Sequence, residues 1–190
     1  MDTSAAGPLT MHVFLGMSVD GFIARPDGDL GWLTTRGEQM GDAGFTPFVA
    51  GVDAVLMGRA TYDVIRPVRD WPYQGRPVHV VSTTLAPGAD DRVEVHASFD
   101  AAVGALARAG HRRVYVDGGR TVRTALAAGL VTGMTLTQVP VLIGEGATLF
   151  GPVGGDVPLE HVSTEVLGGG SVQTTYRVLG PPSPPGSARP

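Results

Sequence analysis

From about residue 10 to residue 179 the chain alternates between short apolar runs and stretches whose apolar residues recur at helical spacing. The runs "MHVFLGMS" (11–18), "VDAVLMG" (52–58), "RPVHVVS" (76–82), "DRVEVHA" (91–97), "RRVYVDGG" (112–119) and "GMTLTQVPVLIG" (133–144) predict strands. Apolar residues that are nearly continuous, rather than alternating, suit strands buried on both faces. Helices are predicted for about 37–50, for 60–65, for "SFDAAVGALARAG" with Ser98 as N-cap and Gly110 as C-cap, and for "RTVRTALAAGL". The segment 161–179, "HVSTEVL-GGG-SVQTTYRVL", alternates polar and apolar residues on both sides of a glycine turn and predicts an antiparallel hairpin. Strand–helix alternation closed by a hairpin gives an α/β domain, with a mainly parallel sheet and an antiparallel edge.

With no interior linker or repeat in sight, one domain is expected over 10–179. Residues 1–9 read as a loose lead-in. The tail 180–190, "GPPSPPGSARP", is expected to be disordered because its Pro, Gly and Ser offer nothing to pack.

Absent residue types narrow the chemistry. There is no Cys, which excludes thiolate metal sites, disulfides and cysteine nucleophiles. All 14 basic residues are Arg, so Schiff-base chemistry and a Walker lysine are excluded as well. A formal charge of -4 gives no general attraction to nucleic acid or anionic membrane. No apolar run approaches the ~20 residues that span a bilayer. The N-terminus has neither the basic start nor the apolar core of a secretory signal, so a cytoplasmic location is expected. His12, His79, His96, His111 and His161 form no His-x-His or His-x-x-x-His pair, so no metal is expected. "GMSVDG" (16–21) misses a nucleophile elbow at its last position, where Asp20 stands for Gly. No G-x-G-x-x-G follows the first strand. "GEGATLFG" (144–151) reads as a turn or a lid.

Three strand ends carry small, hydroxyl and cationic residues together: "MGRAT" (57–61), "VVSTT" (80–84) and "DGGRT" (117–121). Glycine lets a backbone approach an anion, Arg offers a bidentate fork, and Ser or Thr adds a donor. Each alone is an ordinary turn. Three on neighbouring strands suit a ligand with several phosphates, such as a dinucleotide. The residues themselves leave both readings open.

The ordered set "MSVDGFIA" (17–24) with Trp32, "MGRATYDVI" (57–65), "VVSTT", "VYVDGG" (114–119), "LTQVPVLIGEGATLF" (136–150) and the hairpin resembles the dihydrofolate reductase fold. It is more closely similar to the reductases related to the C-terminal domain of the bifunctional riboflavin biosynthesis deaminase-reductase. The resemblance covers nearly the whole domain. It implies a three-layer α/β domain that binds NADPH. Gly58, Arg59 and Thr61 would meet the cofactor phosphates, and Ser82 and Thr83 would line the adenosine phosphate. Gly118 and Gly119 match a Gly-Gly pair typically joined by a cis peptide. Arg120 and Thr121 would start a helix against the pyrophosphate, while Gly16 and Ile23 would hold the nicotinamide carboxamide. On the substrate side the resemblance implies Trp32, an acid near Glu38, and Thr137 supporting that acid. A surface-facing helical Glu and a plain sheet Thr are the alternatives for Glu38 and Thr137.

The expectation is therefore an NADPH-dependent reductase acting on a small heterocyclic (pteridine- or ribosylaminopyrimidine-like) or carbonyl substrate. It would have no nucleic-acid or membrane partner, and relatives suggest a homodimer. The competing readings are a non-catalytic nucleotide-binding module of the same fold and dihydrofolate reductase itself.

Overall fold

The computed structural model describes residues 7–73 and 75–184. Strands β1 (Thr10–Ser18), β2 (Phe22–Ala24), β3 (Ala54–Gly58), β4 (Val78–Val81), β5 (Val93–His96), β6 (Arg113–Asp117), β7 (Val131–Val139), β8 (Ala147–Thr148), β9 (Leu159–Val166) and β10 (Val172–Val178) interleave, among the described residues, with five α-helices. These are α1 (Gly31–Met40), α2 (Phe45–Ala50), α3 (Arg59–Ile65), α4 (Phe99–Arg108) and α5 (Gly119–Ala127). An 8-stranded sheet runs in the order β5-β4-β3-β6-β1-β7-β10-β9. Its strands from β5 to β7 are parallel, and the β9–β10 hairpin adds to β7 antiparallel. The expected α/β architecture is present.

Register explains the continuous apolar runs. Ala54 and Leu56 of β3 and Val114 and Val116 of β6 point to the face covered by α4 and α5. Val55, Met57 and Tyr115 point to the other face, which packs on Tyr62 of α3 and Phe45 and Phe48 of α2. A strand buried on both faces has no polar side to show. On α5 the buried residues are Gly119, Thr121, Val122, Ala125 and Leu126. Each large apolar side chain buried in this way contributes about 1.5–3 kcal/mol. Ser98 caps α4 as expected, its hydroxyl accepting from the Ala101 N–H at 3.1 Å. Gly110, one residue past the cap, takes φ +84°.

Four expectations are corrected. The helix expected over 37–50 is two helices. Gly41, Ala43 and Gly44 adopt positive φ and break the run. Asp42 then accepts from the Thr46 N–H, and Pro47 occupies the first turn of α2, where its missing N–H costs nothing. A second sheet pairs β2 with β8, placing "GEGATLFG" against the β1–β2 turn. These strands are three and two residues long, too short for an alternation to register. The Gly118–Gly119 bond is trans, as are all bonds among the described residues. Finally, part of the tail is structured: Asp156 and Ser183 exchange backbone hydrogen bonds at 2.8 and 2.9 Å. The rest of the lead-in and tail, 1–6 and 185–190, lies outside the described residues. Among the described residues no helix is long and apolar enough to cross a membrane.

Candidate active site

The carboxyl ends of β3, β4 and β6 meet at one polar cleft of about 590 Å³. Its walls include Gly58, Arg59 and Thr61 from the first turn, Ser82 and Thr83 from the second, and Gly118, Gly119, Arg120 and Thr121 from the third. The three strand ends picked out in the sequence are thus neighbours in space. Ligand crevices in open α/β sheets lie in this position. No side chain caps α5, so its first-turn N–H groups are left facing the cleft.

Two cations belong to this wall. The Arg59 Nε donates to both carboxylate oxygens of Asp63 at 2.8 Å, and one terminal nitrogen lies 3.5 Å from the Thr84 hydroxyl. Arg120 is exposed, and its side chain makes no hydrogen bond or ion pair among the described residues; its carbonyl accepts from the Thr124 hydroxyl at 3.0 Å. Ser82 is committed to its own turn, where its hydroxyl accepts from the N–H groups of Thr84 at 3.2 Å and Leu85 at 3.0 Å.

The glycines have a further reason to be there. "GRAT" (58–61) and "GGRT" (118–121) place Gly as N-cap and Thr three residues on, in the first turns of α3 and α5. Each threonine hydroxyl sits against the other turn's glycine. A Cβ on Gly58 would lie 2.9 Å from the Thr121 Oγ1, and one on Gly118 would collide with the Thr61 Oγ1. Gly118 also has φ +88°, a region that side chains avoid. A Cβ on Gly119 would meet the Thr148 carbonyl, which Arg123 also holds by an N–H donated at 2.7 Å. The turns lock together and, through Thr148, to the β2–β8 ribbon.

A second cleft, of about 600 Å³, opens on the far side of the same turns. Ala60, Thr61, Gly118, Gly119 and Arg120 border both clefts. Apolar residues dominate here, among them Phe14, Leu15, Leu33, Phe45, Val64 and Ile65. Gly16 and Ile23 lie on this wall rather than in the polar cleft, as does Thr137. A Cβ on Gly16 would press 2.7 Å from Leu33 Cδ1, so glycine here admits α1. Thr137 is buried, and its hydroxyl accepts from the Gln173 amide at 2.9 Å.

The acid on this wall is Asp117, the last residue of β6. It is 8% exposed, and burial raises its pKa to about 6 against the lowering effect of Tyr115 and the Gly118 N–H. The Tyr115 hydroxyl lies 3.0 Å from the Asp117 Oδ2 and 2.9 Å from the Phe14 carbonyl. That carbonyl can only accept, so the tyrosine's single proton satisfies it when Asp117 supplies the proton for the other contact. The geometry accommodates a protonated Asp117 on the apolar wall, next to the shared Gly118–Gly119 turn.

The other expected substrate residues lie elsewhere. Glu38 is exposed on α1 and borders neither cleft. Trp32 is buried, its Nε1 without a partner, and its neighbour Leu33 reaches the cleft instead. Asp117 lies within "VYVDGG", where the glycines carry the plainer sequence signal. The available signal was a carboxylate closing an otherwise apolar strand. Ser18 of the near-elbow is buried and accepts from the Phe22 N–H at 3.0 Å, holding the β1–β2 turn.

Comparison with known proteins places this architecture. Residues 10–173 match the family described as the RibD C-terminal domain. YwjB of Bacillus subtilis (strain 168), an uncharacterized protein, is 28% identical over 161 residues, covering 82% of this chain and 91% of that protein. The crystal structure of a candidate riboflavin biosynthesis protein from Shewanella sp. PV-4 superposes with a TM-score of 0.80 at 33% identity, covering 90% of this chain and 99% of that one. The diaminohydroxyphosphoribosylaminopyrimidine deaminase/5-amino-6-(5-phosphoribosylamino)uracil reductase of Thermotoga maritima gives a TM-score of 0.64 at 14% identity. There the match covers 90% of this chain and 57% of that one, and it speaks for the fold alone. The chain belongs to the RibD C-terminal domain family, with its dihydrofolate reductase-like fold, and that membership supports a reductase-type function.

Proposed function

We propose that the chain is an NADPH-dependent reductase whose substrate is a small heterocycle, pteridine- or ribosylaminopyrimidine-like, or a carbonyl compound held in the apolar cleft. One observation carries the reading: a polar, Arg-bearing cleft and an apolar cleft share the Gly118–Gly119 turn, with a buried acid beside it. The residues present fit the cofactor. The open first turn of α5 and the cations of Arg59 and Arg120 suit phosphates, and the hydroxyls of Thr61 and Thr83 stand on the same wall.

When bound, NADPH supplies a hydride, which the protein must aim rather than generate. The interlocked turns hold the wall between the clefts rigid, so a ligand in one is positioned against a ligand in the other. The apolar side chains around Phe14 and Leu33 exclude water from the reacting face. Asp117 carries a proton on the apolar side of the shared turn and delivers it to the substrate nitrogen or oxygen as the adjacent carbon is reduced. Tyr115 keeps the carboxyl oriented and Phe14 fixes Tyr115. This role goes to Asp117 rather than Glu38, because Glu38 borders neither cleft.

Titration of the purified chain with NADPH, followed by nicotinamide fluorescence, tests the reading. Saturable binding of one equivalent is expected. No binding at millimolar cofactor would remove NADPH from the account.

A further inference from the structure

Away from both of these functions, the outer edge of the sheet gathers three groups of metal-ligand type. His79 on β4 is the register partner of Glu94 on the edge strand β5, and His96 follows Glu94 by two residues. Side chains two apart on a strand, and those paired in register across parallel strands, share one face. All three therefore project from the face that α4 covers. The His79 Nδ1 lies 2.8 Å from the His96 Nε2. Glu94 completes the triangle, with one oxygen 3.8 Å from the His79 Nδ1 and the other 3.6 Å from the His96 Nε2.

We propose that His79, Glu94 and His96 form a binding site for a zinc-like divalent cation of the first transition row. Zinc sits about 2.0–2.2 Å from imidazole nitrogen and carboxylate oxygen, so tetrahedral ligands stand roughly 3.3 Å apart. The three separations straddle that value, and only small side-chain movements are needed. The donor set is two neutral nitrogens and one carboxylate, which suits zinc or cobalt over calcium or magnesium. The imidazoles are 3% and 8% exposed, whereas the Glu94 side chain is 65% exposed. The nitrogens are thus held dry, and the remaining coordination position opens to solvent beside Glu94.

The rings stack at 5.1 Å with an interplanar angle of 15°, which fixes both nitrogens toward the same point. Without a cation the short nitrogen–nitrogen contact is a hydrogen bond, in which one ring donates its N–H to the other. Entry of the cation requires that proton to leave the shared point. It moves to the donor ring's other nitrogen, and both rings stay neutral. Searching for His–His spacing along one element misses this site, because its ligands are Glu94-x-His96 and a histidine from the adjacent strand.

Occupancy would clip the edge strand to β4. The His96 carbonyl already accepts from the Ser82 N–H at 2.9 Å, and Ala97 borders the polar cleft, so the clip would stiffen that cleft's outer wall. The site rests on its own residues and stands whether or not the chain binds NADPH.

The test uses the untagged full chain, stripped with chelator and titrated with Co²⁺ and then Zn²⁺. One equivalent of Co²⁺ should give the visible d–d bands of a four-coordinate site, and Zn²⁺ should displace them. A cation at about a hundredfold excess over its Kd should raise the Tm by several degrees. The variant His96→Gln should lose both signals, while the control His161→Gln should keep them. Glu94→Gln, at an exposed side chain, should fold as the parent does and bind at least about tenfold more weakly. It carries the test if His96→Gln fails to fold. The proposal is overturned by absence of bands and of a Tm shift at millimolar cation. It is equally overturned by binding that Glu94→Gln leaves unchanged.

Discussion

The two clefts that share the Gly118–Gly119 turn differ in how the chain builds them. The polar cleft comes mainly from three strand-end turns, each contiguous in sequence, with Ala97 and Phe99 added from the β5–α4 junction. The apolar cleft draws short pieces from β1, β2 and the loop after it, α1, α2, α3, β6, α5, β7 and β8. Anion recognition needs backbone N–H groups and short polar side chains at a strand–helix junction, and such a junction is contiguous in sequence. Substrate recognition needs a shaped apolar surface, which no one segment supplies. A phosphate site can therefore persist while the opposite wall is rebuilt around another substrate.

Predictions that could break this division run from the largest effect to the smallest. Asp117→Asn should lower turnover by roughly 10²-fold or more while leaving NADPH affinity within about twofold, because the acid belongs to the apolar side alone. Equal loss of both would place Asp117 in cofactor binding. The same variant should also abolish a decline in turnover as pH rises through about 6, the value to which burial lifts this carboxyl. Steady-state rates and fluorescence titrations across pH check both statements.

The interlocked turns offer a second way in. Gly58→Ala should cost about 1–3 kcal/mol through its clash with Thr121, measured by denaturant unfolding. In a Thr121→Ala background the same change should cost clearly less, since the hydroxyl it meets is gone. Identical costs in both backgrounds would show that the hydroxyl does not set the fit. Gly118→Ala should be less tolerated than Gly58→Ala, because it adds a positive φ to a collision with Thr61.

Next in size is charge. Arg59→Ala should weaken NADPH roughly tenfold more than NADH if the terminal guanidinium nitrogens meet the 2′-phosphate. Parallel weakening of both cofactors would move Arg59 to the pyrophosphate. Smallest of all, Glu38→Gln should leave turnover within about twofold, since Glu38 lies outside both clefts.

Stability against pH separates Asp117 from the histidines. Its folded pKa of about 6 lies above the ordinary 3.8. The stability it contributes is therefore full at pH below the unfolded value and is lost as pH rises through about 6. Asp117→Asn should accordingly gain stability relative to the parent at about pH 8, and that gain should vanish near pH 4. His12 and His79 run the other way: burial lowers both to about 4, so acid withdraws their contribution between the unfolded value near 6.5 and that point. Comparing parent and variant by urea unfolding cancels the histidines and isolates the carboxyl.

Legibility in the sequence followed the same division. The parallel core was readable because β3, β4 and β6 are buried on both faces and show it as unbroken apolar runs. The three strand ends were readable because each is contiguous. The split between α1 and α2 was not, since Ala43 adopts a positive φ that its residue type does not announce. The β2–β8 ribbon was too short to alternate. Asp117 was hidden by burial: a carboxylate at a strand end looks exposed until Tyr115, Phe14 and the sheet close over it. Glu38 drew attention instead, because spacing after Trp32 measures distance along the chain and not which way a helix faces.

The most direct test of the shared wall is a crystal structure of the chain soaked with NADPH. The pyrophosphate should lie against the first turn of α5 at Gly119–Thr121, with the nicotinamide ring passing the glycine turn to lie beside Gly16 and Asp117. A cofactor confined to the polar cleft, with its nicotinamide turned away from Asp117, would contradict it.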